Sequence, residues 1–215
     1  MQELKKIEHL CGYQFKNKKL LETALTHSSY AYQMNIESYE RLEFLGDAVI
    51  NFAVAVEIFK KNPDKDEQYL TNLKSAYVNR NFLYRVGENL ELKDAVRKIG
   101  FIEPRLDQVV EALVGAIYLD GGFNKAKRFI KRFILSEPVS PLLDYKGLAE
   151  TTAHEKFGKS VKYKLEKEYG PAHNKMFLIS ARIPGKNLIA RAKGKTKKEA
   201  EIKAAKILLQ EMEKI

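Results

Sequence analysis

The stretch Tyr39-Glu40-Arg41-Leu42-Glu43-Phe44-Leu45-Gly46-Asp47-Ala48-Val49-Ile50 decides how this chain is read. Glu40, Glu43 and Asp47 stand at i, i+3 and i+7. At about 100° per residue they fall within roughly 60° of arc, on one face of a helix. Taken alone, three acids so spaced are most often a solvated face. A second stretch changes that weighting. Val109-Val110-Glu111-Ala112-Leu113-Val114-Gly115-Ala116-Ile117-Tyr118-Leu119 is apolar except for Glu111. A carboxylate on a helix that has to be buried is costly unless a cation or a proton compensates it. Carboxylate oxygens converging from two helices are the hard ligands that magnesium takes.

Around these two stretches, residues 4–135 are expected to be helical throughout. Leu20 to Leu25 opens a helix, and Asp47 to Lys60 continues the acidic one with Val49, Phe52, Ala53, Val56 and Phe59 at core spacing. Pro63-Asp64 marks a break before a helix through Leu70, Leu73, Ala76 and Val78. Phe82 to Leu90 follows, then the apolar helix from about Arg105, ended by Asp120-Gly121-Gly122. Phe123 to Leu135 is a basic amphipathic helix. Ser136-Glu137-Pro138-Val139-Ser140-Pro141 has the composition of a linker. Beyond it the texture changes: Gly147 to Phe157 is helical, Lys162 to Glu168 extended, and Met176 to Ile183 and Asn187 to Lys193 form a hairpin around Pro184-Gly185. A long helix from Lys197 closes the chain. The order α-β-β-β-α implies two helices on one face of a small antiparallel sheet.

Charge divides the same way. The net charge of the 215 residues is +10. Residues 144–215 carry 17 Lys and Arg against 9 Asp and Glu, whereas residues 1–143 carry 21 against 19. A basic tail domain beside a near-neutral larger part points to a polyanionic partner for the tail, with plain solubility charge the competing explanation. Thr196-Lys197-Lys198-Glu199 fits a capping box, with Thr196 as cap and Glu199 reaching back. Lys195, Lys197 and Lys198 nonetheless crowd the positive end of the helix dipole, an arrangement that a bound phosphate would turn favourable. No apolar stretch approaches the roughly 18–20 residues of a membrane span. The N-terminus lacks a signal-peptide pattern, and Cys11 is the only cysteine. A cytoplasmic protein with no membrane partner is expected.

These residues resemble the ribonuclease III family. Glu40-Arg41-Leu42-Glu43-Phe44-Leu45-Gly46-Asp47 is similar to its signature, and Glu111 to Asp120 to its second acidic helix. Residues 144–215 resemble the double-stranded-RNA-binding domain of bacterial members. There Gly170-Pro171-Ala172-His173-Asn174-Lys175-Met176-Phe177 is similar to the family's Gly-Pro-x-His-x-x-x-Phe, and Thr196-Lys197-Lys198-Glu199-Ala200-Glu201 to its basic helix start. The resemblance covers nearly the whole chain in family order. It implies an all-α nuclease domain over 1–137, a linker over 138–143 and a small α+β (α-β-β-β-α) RNA-binding domain over 144–215.

By that resemblance the chain is a Mg²⁺-dependent endoribonuclease, with Mn²⁺ as a substitute and no small-molecule cofactor. It would hydrolyse both strands of double-stranded RNA, leave 5′-phosphates and short 3′ overhangs, and process structured rRNA and mRNA precursors. Glu43, Asp47 and Glu111 match metal ligands. Asp47, Glu111 and Glu40 match the catalytic set, Glu40 lying near the scissile bond, and Glu67 matches an acid lining the catalytic valley. The family is homodimeric, and Phe44 matches an aromatic knob entering a pocket on the partner. His173, Lys195, Lys197 and Lys198 match RNA-contacting positions, and His27 a structural one.

Three departures stand out. Where the family has an aspartate three residues before Glu111, this chain has Gln108, which brings no negative charge. Asp107 is rotated about 100° from Gln108; it lies about 40° to one side of Glu111, and Gln108 about 60° to the other. Asp107 reaches the site if the helix begins irregularly after Pro104, and otherwise it is a first-turn acid. Second, Lys98-Ile99-Gly100-Phe101-Ile102-Glu103-Pro104-Arg105 replaces a glycine-rich, substrate-contacting segment. Third, Glu150-Thr151 replaces Gln-Glu on the first helix of the RNA-binding domain, so Glu150 is expected to face the phosphates and weaken binding. From Gln108 comes the alternative of a catalytically impaired relative that binds double-stranded RNA as a scaffold.

Overall fold

The computed structural model describes residues 2–141, 144–171 and 175–215. The chain divides into two compact units, Met1–Leu142 and Leu143–Ile215. Among the described residues the first unit consists of α1 (Gln2–Cys11), α2 (Lys18–Ala24), α3 (Ser28–Met34), α4 (Glu40–Lys61), α5 (Glu67–Val78), α6 (Arg80–Asn89), α7 (Leu92–Ala95), α8 (Leu106–Gly121) and α9 (Phe123–Phe133). Polar side chains set several of the starts. Asn17, His27, Asp66 and Asn79 each accept a hydrogen bond from a first-turn backbone N–H of the helix that follows. Gly122, at φ 77°, stops α8, a backbone conformation that a side chain would oppose.

Helix α8 forms the centre of this unit. Leu106, Val109, Val110, Leu113, Val114 and Ile117 are fully enclosed, so it is apolar around most of its circumference, as a helix packed on all sides must be. Each such side chain contributes about 1.5–3 kcal/mol on removal from water. Helix α4 crosses α8 through two glycines. A Cβ on Gly46 would lie 1.7 Å from the Glu111 carbonyl oxygen, and one on Gly115 would lie 2.3 Å from the Leu42 carbonyl oxygen. The two backbones therefore touch, and side chains that flank the crossing are carried toward each other.

The expectation of helix throughout 4–135 is corrected at Val96–Arg105, which is not helical. There Arg97 makes a parallel bridge with Thr26: its N–H donates to the Leu25 carbonyl at 2.8 Å, and its carbonyl accepts from the His27 N–H at 2.9 Å. Pro104 and Gly100, the latter at φ 80°, oppose helix in this stretch.

The second unit is α10 (Tyr145–Phe157), β1 (Lys162–Tyr169), β2 (Met176–Arg182), β3 (Ile189–Gly194) and α11 (Lys197–Glu213). The strands form an antiparallel sheet in the order β1-β2-β3, with an irregularity between Leu165 and Lys167. Small residues let both helices lie close to it: Ala149, Ala153, Ala181, Ala190, Ala192, Ala204 and Ala205 are all in the core, beside Val161, Ile183, Leu208 and Met212. Thr196 caps α11 by accepting from the Glu199 N–H at 3.1 Å. The reciprocal bond of Glu199 goes to the Lys195 N–H at 2.8 Å, one residue further back than a capping box requires. Among the described residues no helix is long and apolar enough to cross a membrane.

Candidate metal centre and RNA-binding surface

The glycine crossing brings together Glu43 and Asp47 of α4 and Gln108 and Glu111 of α8. Glu111 is half-buried and receives no hydrogen bond or ion pair among the described residues. Burial, then the charges of Asp47, Glu43 and Asp107, push its carboxyl up to about 8. Burial also raises Glu43, against a hydrogen bond from Gln108 and the positive charge of Arg105. The Tyr39 hydroxyl is pushed up to about 12 by burial and then by Glu43 and Glu40. The positive charge of Arg105 only partly offsets the carboxylates around Glu111. Among the described residues no three acids, histidines or cysteines are close enough to hold a metal ion as they stand. The donor set is still that of a hard cation: the carboxylate oxygens of Glu43, Asp47 and Glu111.

Gln108 and Asp107 take different roles. The Gln108 Nε2 donates to Glu43 Oε1 at 2.7 Å, and the Tyr39 hydroxyl donates to Gln108 Oε1 at 3.3 Å. Gln108 is thus the residue of the pair that faces the cluster. Asp107, only 3% exposed, accepts from Arg105 Nη2 at 2.5 Å and Nε at 3.2 Å, with Arg80 Nε at 3.7 Å. Two guanidinium groups neutralise it, although its charge still reaches Glu111. Asp47 is exposed and accepts from Asn51 Nδ2 at 2.8 Å. Glu40, also exposed, accepts from Ser38 Oγ at 3.1 Å. Glu67 does not join this group; it accepts from Thr71 on its own helix at 2.9 Å and lines a groove between α4 and α5 with Phe52, Phe59 and Leu70.

Phe44 is 81% exposed beside a cavity of about 800 Å³ lined by Leu20, Leu42, Leu45 and Leu119. With Ala48 and the exposed Phe52 it forms an apolar stripe at i, i+4 and i+8 along α4. Exposed apolar patches of this kind mark contact surfaces.

In the second unit Lys195, Lys197 and Lys198 are exposed around the start of α11. Lys197 lies 3.5 Å from Glu168 and 5.7 Å from the Phe177 ring centre. His173 lies outside the described residues. One oxygen of Glu150 accepts from the Val161 N–H at 2.9 Å, tying α10 to the start of β1. Thr151, the next residue, is the exposed one.

Sequence reasoning missed Tyr39, Asn51 and Arg105 around the candidate centre. It also missed Glu57 of α4, which is 6% exposed and bound by Lys127 at 2.8 Å and Lys131 at 2.9 Å of α9. Those two ammonium groups hold its carboxyl down to about 2. Glu57 stands between Val56 and Ile58 and carries the same signal as Glu111, a lone acid within an apolar run.

Residues 17–138 match the family model described as ribonuclease-III-like, and residues 147–212 match the double-stranded RNA binding motif. The chain is 36% identical to Ribonuclease 3 of Borreliella burgdorferi over 99% of this chain and 93% of that protein. It is 35% identical to Ribonuclease 3 of Aquifex aeolicus, covering 99% of each chain. The crystal structure of the nuclease domain of ribonuclease III from Campylobacter jejuni aligns with a TM-score of 0.59 at 33% identity, covering 65% of this chain and 100% of that domain. Another structure of that domain is described for flexibility in the region involved in its dimer formation.

Proposed function

This chain belongs to the ribonuclease III family of double-strand-specific endoribonucleases, and on that premise we propose a Mg²⁺-dependent enzyme, with Mn²⁺ as substitute, that cuts both strands of an RNA duplex. In this reading it leaves 5′-phosphates and short 3′ overhangs, works as a homodimer in the cytoplasm, and processes structured rRNA and mRNA precursors. What supports it is the glycine crossing, which puts α4, carrying Glu43 and Asp47, against α8 so that burial and their charges raise Glu111. Those three side chains would hold the ion. Once bound, the ion supplies Lewis-acid stabilisation of charge on phosphoryl oxygens and a water that is easier to deprotonate. Asn51 fixes the Asp47 carboxylate through its amide. Glu40, exposed at the start of α4, would orient the attacked strand. The Phe44 stripe supports dimerisation, since a second copy would cover it. Lys195, Lys197 and Lys198 support phosphate contact by the second unit, whose class reads A-form shape over about 16 base pairs.

The test is cleavage of a long perfect duplex with and without millimolar Mg²⁺. Glu111→Gln and Asp47→Asn should each abolish cleavage and spare RNA binding; unchanged turnover in either would remove the site assignment. A second reading, an impaired relative that binds duplex RNA as a scaffold, draws on one observation. Gln108 brings no charge, and its amide N–H occupies Glu43. The same assay separates the two readings, because binding without cleavage at millimolar metal favours the scaffold. Gln108→Asp should then tighten Mg²⁺ binding by at least about tenfold, about 1.4 kcal/mol. No tightening would show that Gln108 does not limit the site.

A further inference from the structure

Helix α9 carries five cations and no acid, Phe123-Asn124-Lys125-Ala126-Lys127-Arg128-Phe129-Ile130-Lys131-Arg132-Phe133. They lie on the two flanks of its apolar stripe. Lys127 and Lys131 on one flank are used by Glu57. Lys125, Arg128 and Arg132, at i, i+3 and i+7, share the other flank within roughly 60° of arc. All three are exposed, and none has a carboxylate partner among the described residues.

The neighbouring acids cannot supply one. Asp120 is occupied by the Tyr13 hydroxyl at 2.7 Å and by the backbone N–H groups of Lys16 and Asn17 at 2.9 and 2.8 Å. Glu8 is bound by Lys18 and accepts from the Phe15 N–H at 2.6 Å.

The three cations also border a real recess. Tyr13, Gln14, Lys125, Arg128, Phe129 and Arg132 line a cavity of about 230 Å³, which shares Gly12, Tyr13 and Gln14 with a neighbouring one bordered by Lys5 and His9. Its wall is shaped around a guanidinium. Gly12 sits at φ 63°, and Arg132 Nη1 lies 2.5 Å from where a Cβ of residue 12 would be, so glycine makes room for it. The Phe133 ring, 5.0 Å from the guanidinium carbon, supports the group from its own helix. Two guanidiniums and an ammonium around a recess with an amide and a phenol ring at its edge suit a phosphate group next to a sugar or base.

We propose that this recess is a second phosphate-binding site on the nuclease unit, taking a nucleotide phosphate at a distance from the acidic cluster. It borders the C-terminal end of α8, and Glu111 is ten residues back from Gly121, about 15 Å along the axis. It rests on the RNA-cleaving reading for its ligand class, not for its geometry. The phosphate comes from an RNA backbone running past the cleaved segment or from a free nucleotide.

The test uses the full chain in EDTA, so that binding is read independently of turnover and a failure of the cleavage reading is seen separately. Native protein and the variant K125Q/R128Q/R132Q are titrated with a duplex of about 30 base pairs and with adenosine 5′-monophosphate, over a range of salt. Loss of RNA affinity by about tenfold or more, with log K against log salt flatter by about 1 to 3, assigns the recess to the RNA backbone. Loss for the nucleotide assigns it to a free phosphate. Unchanged binding of both ligands overturns the proposal. So does an equal loss in K60Q/K61Q/K65Q, which removes three charges elsewhere on the same unit. The single variant R128Q, at an exposed position, gives the same reading with a smaller change if the triple variant does not fold.

Discussion

Gly46→Ala tests whether the backbone crossing creates the proposed metal centre. The added methyl would sit 1.7 Å from the Glu111 carbonyl oxygen, 2.6 Å from its carbon and 2.9 Å from the Gly115 nitrogen. Carbon settles at about 3.5 Å or more from such atoms. None of the three belongs to a side chain that can rotate away, so α4 and α8 have to part by roughly 1.5 Å. Overfilling a packed core costs about 1–3 kcal/mol when side chains can adjust. Here only backbone meets backbone, so the expected loss is at or above about 3 kcal/mol, or roughly 10 °C in the melting temperature of a unit this size. Scanning calorimetry of the full chain should show that drop in the transition of the nuclease unit and leave the RNA-binding unit unchanged. Isothermal titration should show Mg²⁺ affinity falling with it, because Glu111 moves with the α8 backbone. Gly115→Ala should behave alike, its Cβ lying 2.3 Å from the Leu42 carbonyl oxygen. Gly100→Ala, which meets nothing within 4 Å, should cost only the strain of φ 80°, about 1 kcal/mol. A Gly46→Ala protein with native melting temperature and native metal affinity would refute the idea that close approach of these backbones forms the site.

Three further outcomes are expected. The carboxyl of Glu111 sits at about 8 in the metal-free fold against an ordinary 4.5, so the folded state holds a proton that the unfolded state has lost. The Glu111 contribution to stability of the metal-free nuclease unit should therefore be full below about 4.5 and decline as pH rises toward about 8. Mg²⁺ has to displace that proton, so its affinity should rise up to about pH 8 with net proton release. Titration in two buffers of different ionisation heat checks this, and an affinity flat from pH 6 to 9 would contradict it. Glu57→Gln strips Lys127 and Lys131 of their shared partner and should cost about 1–3 kcal/mol, below the full value for a buried pair because both lysines reach solvent. With its carboxyl held at about 2, the Glu57 contribution is present above about 4.5 and fades as pH falls toward 2, so native and Glu57→Gln melting curves should converge in acid. Finally, K195A/K197A/K198A should weaken duplex binding and flatten its salt dependence by about 1 to 3, as seen in fluorescence anisotropy; an unchanged slope would place the phosphate contacts of the second unit elsewhere.

What was legible in the sequence and what was not follows from how far each property depends on distant atoms. A lone acid in an apolar run is a one-dimensional signal, and it located Glu111 correctly within the core helix. The same signal was present at Glu57 and passed unread, because α4 already had an obvious acidic face at Glu40, Glu43 and Asp47. The second unit was legible almost residue by residue, since its turn at Gly185, its hairpin and the Thr196 cap are local. The choice between Asp107 and Gln108 was not local. The two stand about 100° apart, and which of them faces Glu111 is decided by partners elsewhere in the chain. Arg105 and Arg80 draw Asp107 aside, while Tyr39 and Glu43 hold Gln108 inward. Glu150 is a related case. Its position on α10 was readable, but the backbone N–H that one of its oxygens accepts from stands eleven residues on, at the entry to β1. Helix periodicity thus fixes on which face a charge begins. Where it ends is fixed by which donor it finds, and at the proposed metal centre the donor that Glu43 finds is the Gln108 amide, at a position where the resemblance led to an aspartate being expected.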